Sequence, residues 1–307
     1  MPSSEKAPVK FAHRVGAGIL IGILLAIFSF QGLTEVKIGA GDFGWATREA
    51  ALLLRGEKPL SLAVGFDWVP YPLTAALFGI PFCRLQPELA GALFIGISSG
   101  LLGFAITRRG WNRLLIFASY PYWAAVLTVQ WSPLMMAAAL LPWLYPVVIA
   151  KPNIGFPVAL RAMHRNGLIV AALLTLATLL IQPDWPLVWW KQTRGYQGFI
   201  PIWGIGCVLL VVLRWARHDA GSRWLLLMGV IPQRWYYDAF LLWLIPETTA
   251  ELVAAGVLSW GAFLATPATR TIQQVALIST VFNYLPMLGI VLVRKYRKSA
   301  EGESLDL

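Results

Sequence analysis

Five short polar stretches interrupt an otherwise apolar chain, and each carries side chains able to do chemistry. Asp42 stands in Gly39-Ala40-Gly41-Asp42-Phe43-Gly44. An aspartate ahead of a helical run caps the free N–H groups of the first turn. A carboxylate held at a membrane face against apolar surface also suits a general base. Asp238 closes Gln233-Arg234-Trp235-Tyr236-Tyr237-Asp238. An ionisable residue at membrane depth is a functional candidate and normally has a partner. Arg234, four residues back, either pairs with Asp238 or meets a phosphate. Gln130, in Val129-Gln130-Trp131-Ser132-Pro133, reads as a plain turn residue or as a hydrogen-bonding side chain facing an outer cavity. Lys151-Pro152-Asn153 reads as a positive anchor on the cytoplasmic side. Residues 183–198, from Pro183-Asp184-Trp185-Pro186 to Gly195-Tyr196-Gln197, offer an interfacial aromatic belt or a platform for a sugar ring.

The elements that must position these residues are apolar. Of 307 residues 58% are hydrophobic and 13% charged, about half of the roughly 25% usual for a soluble domain. The mean hydropathy is +0.65. That composition cannot cover a water-facing surface and suits a lipid-facing one. The net charge of +10 does not indicate nucleic acid, because the basic residues are scattered in short loops rather than gathered in a patch. Cys83 and Cys207 are far apart, no Cys or His spacing suits a metal, and Cys207 reads as a packed thiol. His13, His164 and His218 receive no role.

The expected architecture is all-α, a polytopic transmembrane bundle of eight to ten spans forming one membrane domain over 1–307. Apolar runs lie at about 15–33, 88–107, 113–129, 131–149, 167–182, 199–213, 249–265 and 274–293. The first follows Lys6, Lys10 and Arg14 but lacks a cleavage site, so it reads as a transmembrane helix rather than a signal peptide. Two shorter runs, 224–231 and 239–246, flank the polar turn before Asp238 as half-length helices or a re-entrant hairpin. Alternating the spans from a cytoplasmic N-terminus puts 16 of 25 Lys and Arg inside, so both termini, including the tail 294–307, are expected in the cytoplasm. Residues 34–87 form a long extracytoplasmic loop, within which 43–56 reads as an amphipathic helix closed by Gly56 and 70–82 as a second interfacial piece. Gly18/Gly22 and Gly96/Gly100 have the spacing for close helix packing.

Taken in order along the chain, several segments resemble the GT-C membrane glycosyltransferases, closest to the bacterial glycosyltransferase 87 group. They are Asp42-Phe43 with Arg48 through Lys58-Pro59, then Val69-Pro70-Tyr71-Pro72-Leu73, then Val129-Gln130-Trp131-Ser132-Pro133-Leu134, then Ala150-Lys151-Pro152-Asn153, and last Ile231-Pro232 through Tyr237-Asp238. Leu73 stands where the group commonly has a second proline, and Val129 where it has glycine. The resemblance implies Asp42 as the catalytic base. It implies Arg48, Lys58, Tyr71, Gln130, Lys151, Arg234, Tyr237 and Asp238 as substrate-binding residues. It further implies an inverting, mannosyltransferase-like reaction with a polyprenyl-phosphate sugar donor and a lipid or glycan acceptor, no obligatory metal or cofactor, and a bacterial inner membrane location. Two rival expectations are a lipid or small-molecule transporter or flippase, and a non-catalytic subunit of a membrane complex.

Overall fold

The computed structural model describes residues 9–59, 71–194 and 198–300. Val69 and Pro70 of the tyrosine–proline segment, Gly195-Tyr196-Gln197 of the aromatic loop and the last seven residues of the tail lie outside them. The described chain is all-helical, with one isolated antiparallel bridge between Phe199 and Gln233. Its contacts gather into two compact units: residues up to 114 with 125–194, and residues 115–124 with 198–300.

Among the described residues four helices are long and apolar enough to cross a membrane: Phe11–Val36, Pro87–Arg109, Thr249–Ala268 and Ile272–Arg297. A fifth is obtained if Arg165–Ile181 and Trp185–Thr193, bent by 96° at their junction, are counted as one broken span. Of the expected eight to ten spans, four or five are thus realised as continuous or once-broken apolar helices among the described residues. Proline divides several of the expected runs: Pro121 in the 113–129 run and Pro133 and Pro142 in the 131–149 run each stand in the first turn of a new short helix, and Pro201 stands ahead of the helix that begins at Gly204.

The first unit begins with α1 (Phe11–Val36), α2 (Phe43–Leu54), α3 (Thr74–Gly79) and α4 (Pro87–Ile106). The α1 helix turns Ile19, Leu20, Ile23, Leu24, Ile27 and Phe28 outward, each about half exposed. A stripe of that size is disfavoured in water and fits lipid. Its other face lies against α4, and there the expected glycine spacing is realised. A Cβ at Gly18 would stand 2.8 Å from the Gly100 carbonyl oxygen, and one at Gly100 would stand 2.7 Å from that of Gly18. The amphipathic α2 also forms. It closes through Gly56 N–H to the Leu53 carbonyl (3.0 Å) and Glu57 N–H to the Leu52 carbonyl (3.1 Å).

After α4 come α5 (Tyr120–Leu127), α6 (Ser132–Ala138), a 3-10 helix Pro142–Ala150, α7 (Pro152–Arg161), α8 (Arg165–Ile181) and α9 (Trp185–Thr193). His164 caps α8, its Nδ1 accepting from Gly167 N–H at 3.1 Å. The second unit carries the 3-10 helix Gly204–Val212, α10 (Leu213–Ala216), α11 (Ala220–Val230), the 3-10 helix Tyr236–Leu244, α12 (Thr249–Ala265), α13 (Ile272–Ser279) and α14 (Leu285–Ala300). Cys207 is exposed on its apolar helix rather than packed inside. The half-length pair around residue 235 forms as expected. Its second piece is buried along its whole length, so its irregular backbone is covered by protein.

Because the atoms opposite Gly100 are backbone, they cannot yield to a new side chain. Gly100→Val is expected to destabilise the protein by about 1–3 kcal/mol through overpacking. Gly16→Ala, with nothing within 4 Å, should be neutral or slightly stabilising. Thermal unfolding of the two variants in one detergent compares them.

Candidate functional site

The turn between α1 and α2 is seated on the turn after α5. Asp42 N–H donates to the Thr128 carbonyl at 3.0 Å. Gly41, at φ +51°, lies so close that a Cβ there would be 2.7 Å from the same oxygen. On the other side of the seam Val129 takes φ +53°, a left-handed conformation rare for a β-branched residue. Such strain persists only where the surroundings over-determine it, and here it points Gln130 back at Asp42.

Gln130 Nε2 donates to Asp42 Oδ2 at 2.5 Å, and Tyr71 OH donates to the same oxygen at 2.9 Å. Lys151 Nζ donates to Gln130 Oε1 at 3.0 Å. Gln130 is 1% and Lys151 7% exposed. The amide orientation follows from chemistry, because an ammonium can only donate and a carboxylate can only accept, so the oxygen must face Lys151 and the nitrogen Asp42. Thr74 Oγ1 donates to the Ile149 carbonyl at 2.7 Å and ties the element that carries Tyr71 to the one that carries Lys151. Three chain segments thus meet at one carboxylate, and a fourth is joined to it through Gln130. Among the described residues Oδ2 takes both hydrogen bonds and Oδ1 takes none.

The network rests on aromatic side chains that are sequence neighbours of its members. Phe43 stacks on Phe94 with ring centroids 3.9 Å apart, and the fully buried Trp131 lies 5.6 and 5.0 Å from them. Tyr71 is 6.1 Å from the Trp131 ring. Asp42 and Gln130 are therefore anchored by Phe43 and Trp131. Such a floor lowers the local dielectric and strengthens the polar contacts above it.

Two sequence expectations change. Asp42 does not cap α2: it is itself in the helical conformation, and its side chain makes no capping bond. Lys151 does not lie across a membrane from Gln130. The segment between them is two short helical pieces that return to their start, so the 131–149 span is a hairpin, and the alternation that placed both termini in the cytoplasm no longer follows. Arg48 is exposed; its guanidinium lies 4.4 Å over the Trp45 ring, and its Nε donates to the Gly44 carbonyl at 3.2 Å. Lys58 is exposed beyond the end of α2. Arg234, Tyr237 and Asp238 belong to the second unit. There the Arg234 main-chain N–H donates to Asp238 Oδ2 at 3.0 Å, and Tyr237 and Asp238 are buried. Among the described residues no group of three His, Cys, Asp or Glu could hold a metal.

Sequence reasoning missed Glu49. It is 4% exposed, and neither carboxyl oxygen has a hydrogen-bond partner among the described residues. The signal was present: Phe43, Ala46, Ala50 and Leu53 make one helical stripe, and Glu49 falls at its edge, whereas Arg48 and Arg55 fall opposite. No family model, no curated protein and no solved structure matches this chain.

Burial pushes the Glu49 carboxyl up to about 8, against which the nearby Arg48 charge acts weakly. An unfolded glutamate ionises near 4.5. Between those values the folded state holds a proton that the unfolded state has released, so stability falls as pH rises. The loss is about 1.4 kcal/mol per pH unit, up to about 3 kcal/mol at pH 7. Glu49→Gln is expected to raise the unfolding temperature at pH 7–8 and to flatten its dependence between about pH 5 and 8. An unchanged slope would show that the carboxyl is not buried in solution.

Proposed function

We propose that this protein is an integral membrane glycosyltransferase of the GT-C type. It transfers a sugar with inversion from a polyprenyl-phosphate donor to a lipid or glycan hydroxyl at the extracytoplasmic face of a bacterial plasma membrane. The observation that carries this reading is the convergence of Tyr71 and Gln130 on Asp42, with Lys151 behind Gln130 and one carboxylate oxygen without a bond among the described residues. All four residues come from segments that the resemblance had grouped.

A carboxylate held in this way has one oxygen fixed and one available to take a proton. The acceptor O–H gives its proton to Oδ1 of Asp42. The acceptor oxygen attacks the anomeric carbon from the face opposite the phosphate, and the bond from that carbon to the phosphate oxygen breaks, with polyprenyl phosphate leaving with the electron pair. Tyr71 and Gln130 hold the carboxylate against rotation. Lys151, joined through Gln130, offsets its charge and lowers the repulsion met by an anionic donor. Arg48 and Lys58 add exposed positive charge on the same segment. The exposed apolar faces of α1 and α8 suit a donor whose chain lies in the bilayer.

Protein in lipid nanodiscs, offered a panel of polyprenyl-phosphate hexoses and a crude acceptor extract, should transfer sugar. Asp42→Asn should lose about 10²- to 10⁴-fold, the contribution of a positioned general base. Lys151→Met should fall about tenfold or more, since a charge-assisted hydrogen bond contributes about 1.5–3 kcal/mol. Equal rates for wild type and Asp42→Asn would remove Asp42 as the base. No transfer from any donor would favour a transporter or a non-catalytic subunit.

A further inference from the structure

Along the seam of α1 and α4 runs an open groove of about 540 Å³. That is a size at which small-molecule sites are found. On α1 it is lined from Val15 to Ala26, on α4 from Leu93 to Phe104, and Trp143 also lines it. The lining is apolar, and Ile19, Ile23, Ile97 and Trp143 are all about half exposed, so the groove opens outward rather than into the core. The two helices run antiparallel, with Gly18 against Gly100 and Gly22 against Gly96. The rise from Val15 to Ala26 is about 16 Å, half of the roughly 30 Å hydrocarbon core of a bilayer. The groove is therefore one leaflet deep.

One end of the groove carries positive charge. Residues three and four apart share a helix face. Arg14, four before Gly18, and Arg108, four after Phe104, thus stand one turn beyond the groove on the faces that line it. The Arg14 guanidinium lies 4.4 Å over the Phe104 ring. Its Nε and Nη2 donate to the Phe104 carbonyl at 3.2 and 3.1 Å, which leaves Nη1 unbonded among the described residues. Arg108 is exposed and near enough for its charge to act on Arg14. Among the described residues neither arginine is salt-bridged to a carboxylate. Basic residues at the end of a span are ordinary anchors, and Arg109, off the stripe, fits that role. An anchor has no need to continue the lining of a groove, as Arg14 and Arg108 both do.

We propose that the α1–α4 groove is a binding site for one glycerophospholipid with a net negative headgroup. An acyl chain lies along the groove, and the phosphate sits between Arg14 and Arg108. The chain covers the apolar walls over the depth of its own leaflet. The phosphate accepts from the Arg14 Nη1 donors and offsets the repulsion between the two guanidinium groups. A zwitterionic lipid brings the same phosphate but sets its ammonium beside two like charges. A second copy packed parallel on this face would add its own Arg14 and Arg108 to these two. The site is separate from the one around Asp42. The α1 helix rises about 33 Å from Arg14 to Val36, and Asp42 follows its far end, so the headgroup lies at the opposite membrane face. The site therefore goes beyond the reaction proposed above and does not depend on it.

Full-length protein in detergent micelles is titrated with dioleoyl phosphatidylglycerol or dioleoyl phosphatidylcholine, and bound lipids are counted by native mass spectrometry. The first phosphatidylglycerol should bind about fivefold or more tighter than the first phosphatidylcholine. Arg14→Gln and Arg108→Gln should each weaken phosphatidylglycerol about fivefold, the contribution of one basic residue facing an anionic lipid. The double variant should bind the two lipids alike. Arg109→Gln, with its charge off the groove, should change affinity by about twofold at most. Ile97→Trp fills the groove from an exposed position and should weaken both lipids about tenfold, with thermal unfolding reporting that it folds. Equal binding of the two lipids by wild type would overturn the inference. So would a loss in Arg109→Gln as large as in Arg14→Gln and Arg108→Gln, which would mean diffuse surface charge. Displacement of phosphatidylglycerol by an equal concentration of polyprenyl phosphate would also overturn it, giving the groove to the sugar donor's lipid. No sugar and no transfer enter these measurements, so their failure is distinct from failure of the glycosyltransferase reading.

Discussion

The first unit is organised around a buried ammonium and a half-buried carboxylate that are joined through a single amide. Lys151 and Asp42 do not touch; Gln130 accepts from one and donates to the other. In a low-dielectric interior neither charge is tolerable alone, and the attraction offsets their desolvation only if the geometry is held. That requirement accounts for the local structure around it. It explains why the Asp42 turn is pinned to the Thr128 carbonyl, why Val129 tolerates a left-handed backbone, and why Thr74 ties its helix to Ile149.

The same constraint makes the network suitable for chemistry. An aspartate with both oxygens saturated is a structural group, and one with none is a mobile surface charge. Asp42 lies between these, with Oδ2 shared by Tyr71 and Gln130 and Oδ1 unbonded among the described residues. The aromatic floor of Phe43, Phe94 and Trp131 fixes the residues next to Asp42 and Gln130 in the chain, so the polar atoms are placed by packing rather than by their own hydrogen bonds. Glu49, on α2 itself, shows the opposite condition: polar atoms placed by packing with no partner among the described residues.

The sequence by itself determined the helical, lipid-facing character of the chain, because a bilayer admits only backbones that satisfy themselves, and apolar length is a local property. It also determined the glycine spacing of α1 and α4, the amphipathic α2 and the candidacy of Asp42, Tyr71, Gln130 and Lys151. The span count was decided by tertiary structure. An apolar run broken at Pro142 looks like a span when read by hydropathy, and only packing reveals a hairpin that brings Lys151 back to Gln130. The role of Asp42 was decided there too. Helix capping is a local expectation, whereas its Tyr71 and Gln130 partners lie 29 and 88 residues away. Glu49 was readable in the helical period, but its isolation was not: whether a buried polar atom finds a partner depends on what the neighbouring elements present, and no local pattern in the chain encodes that.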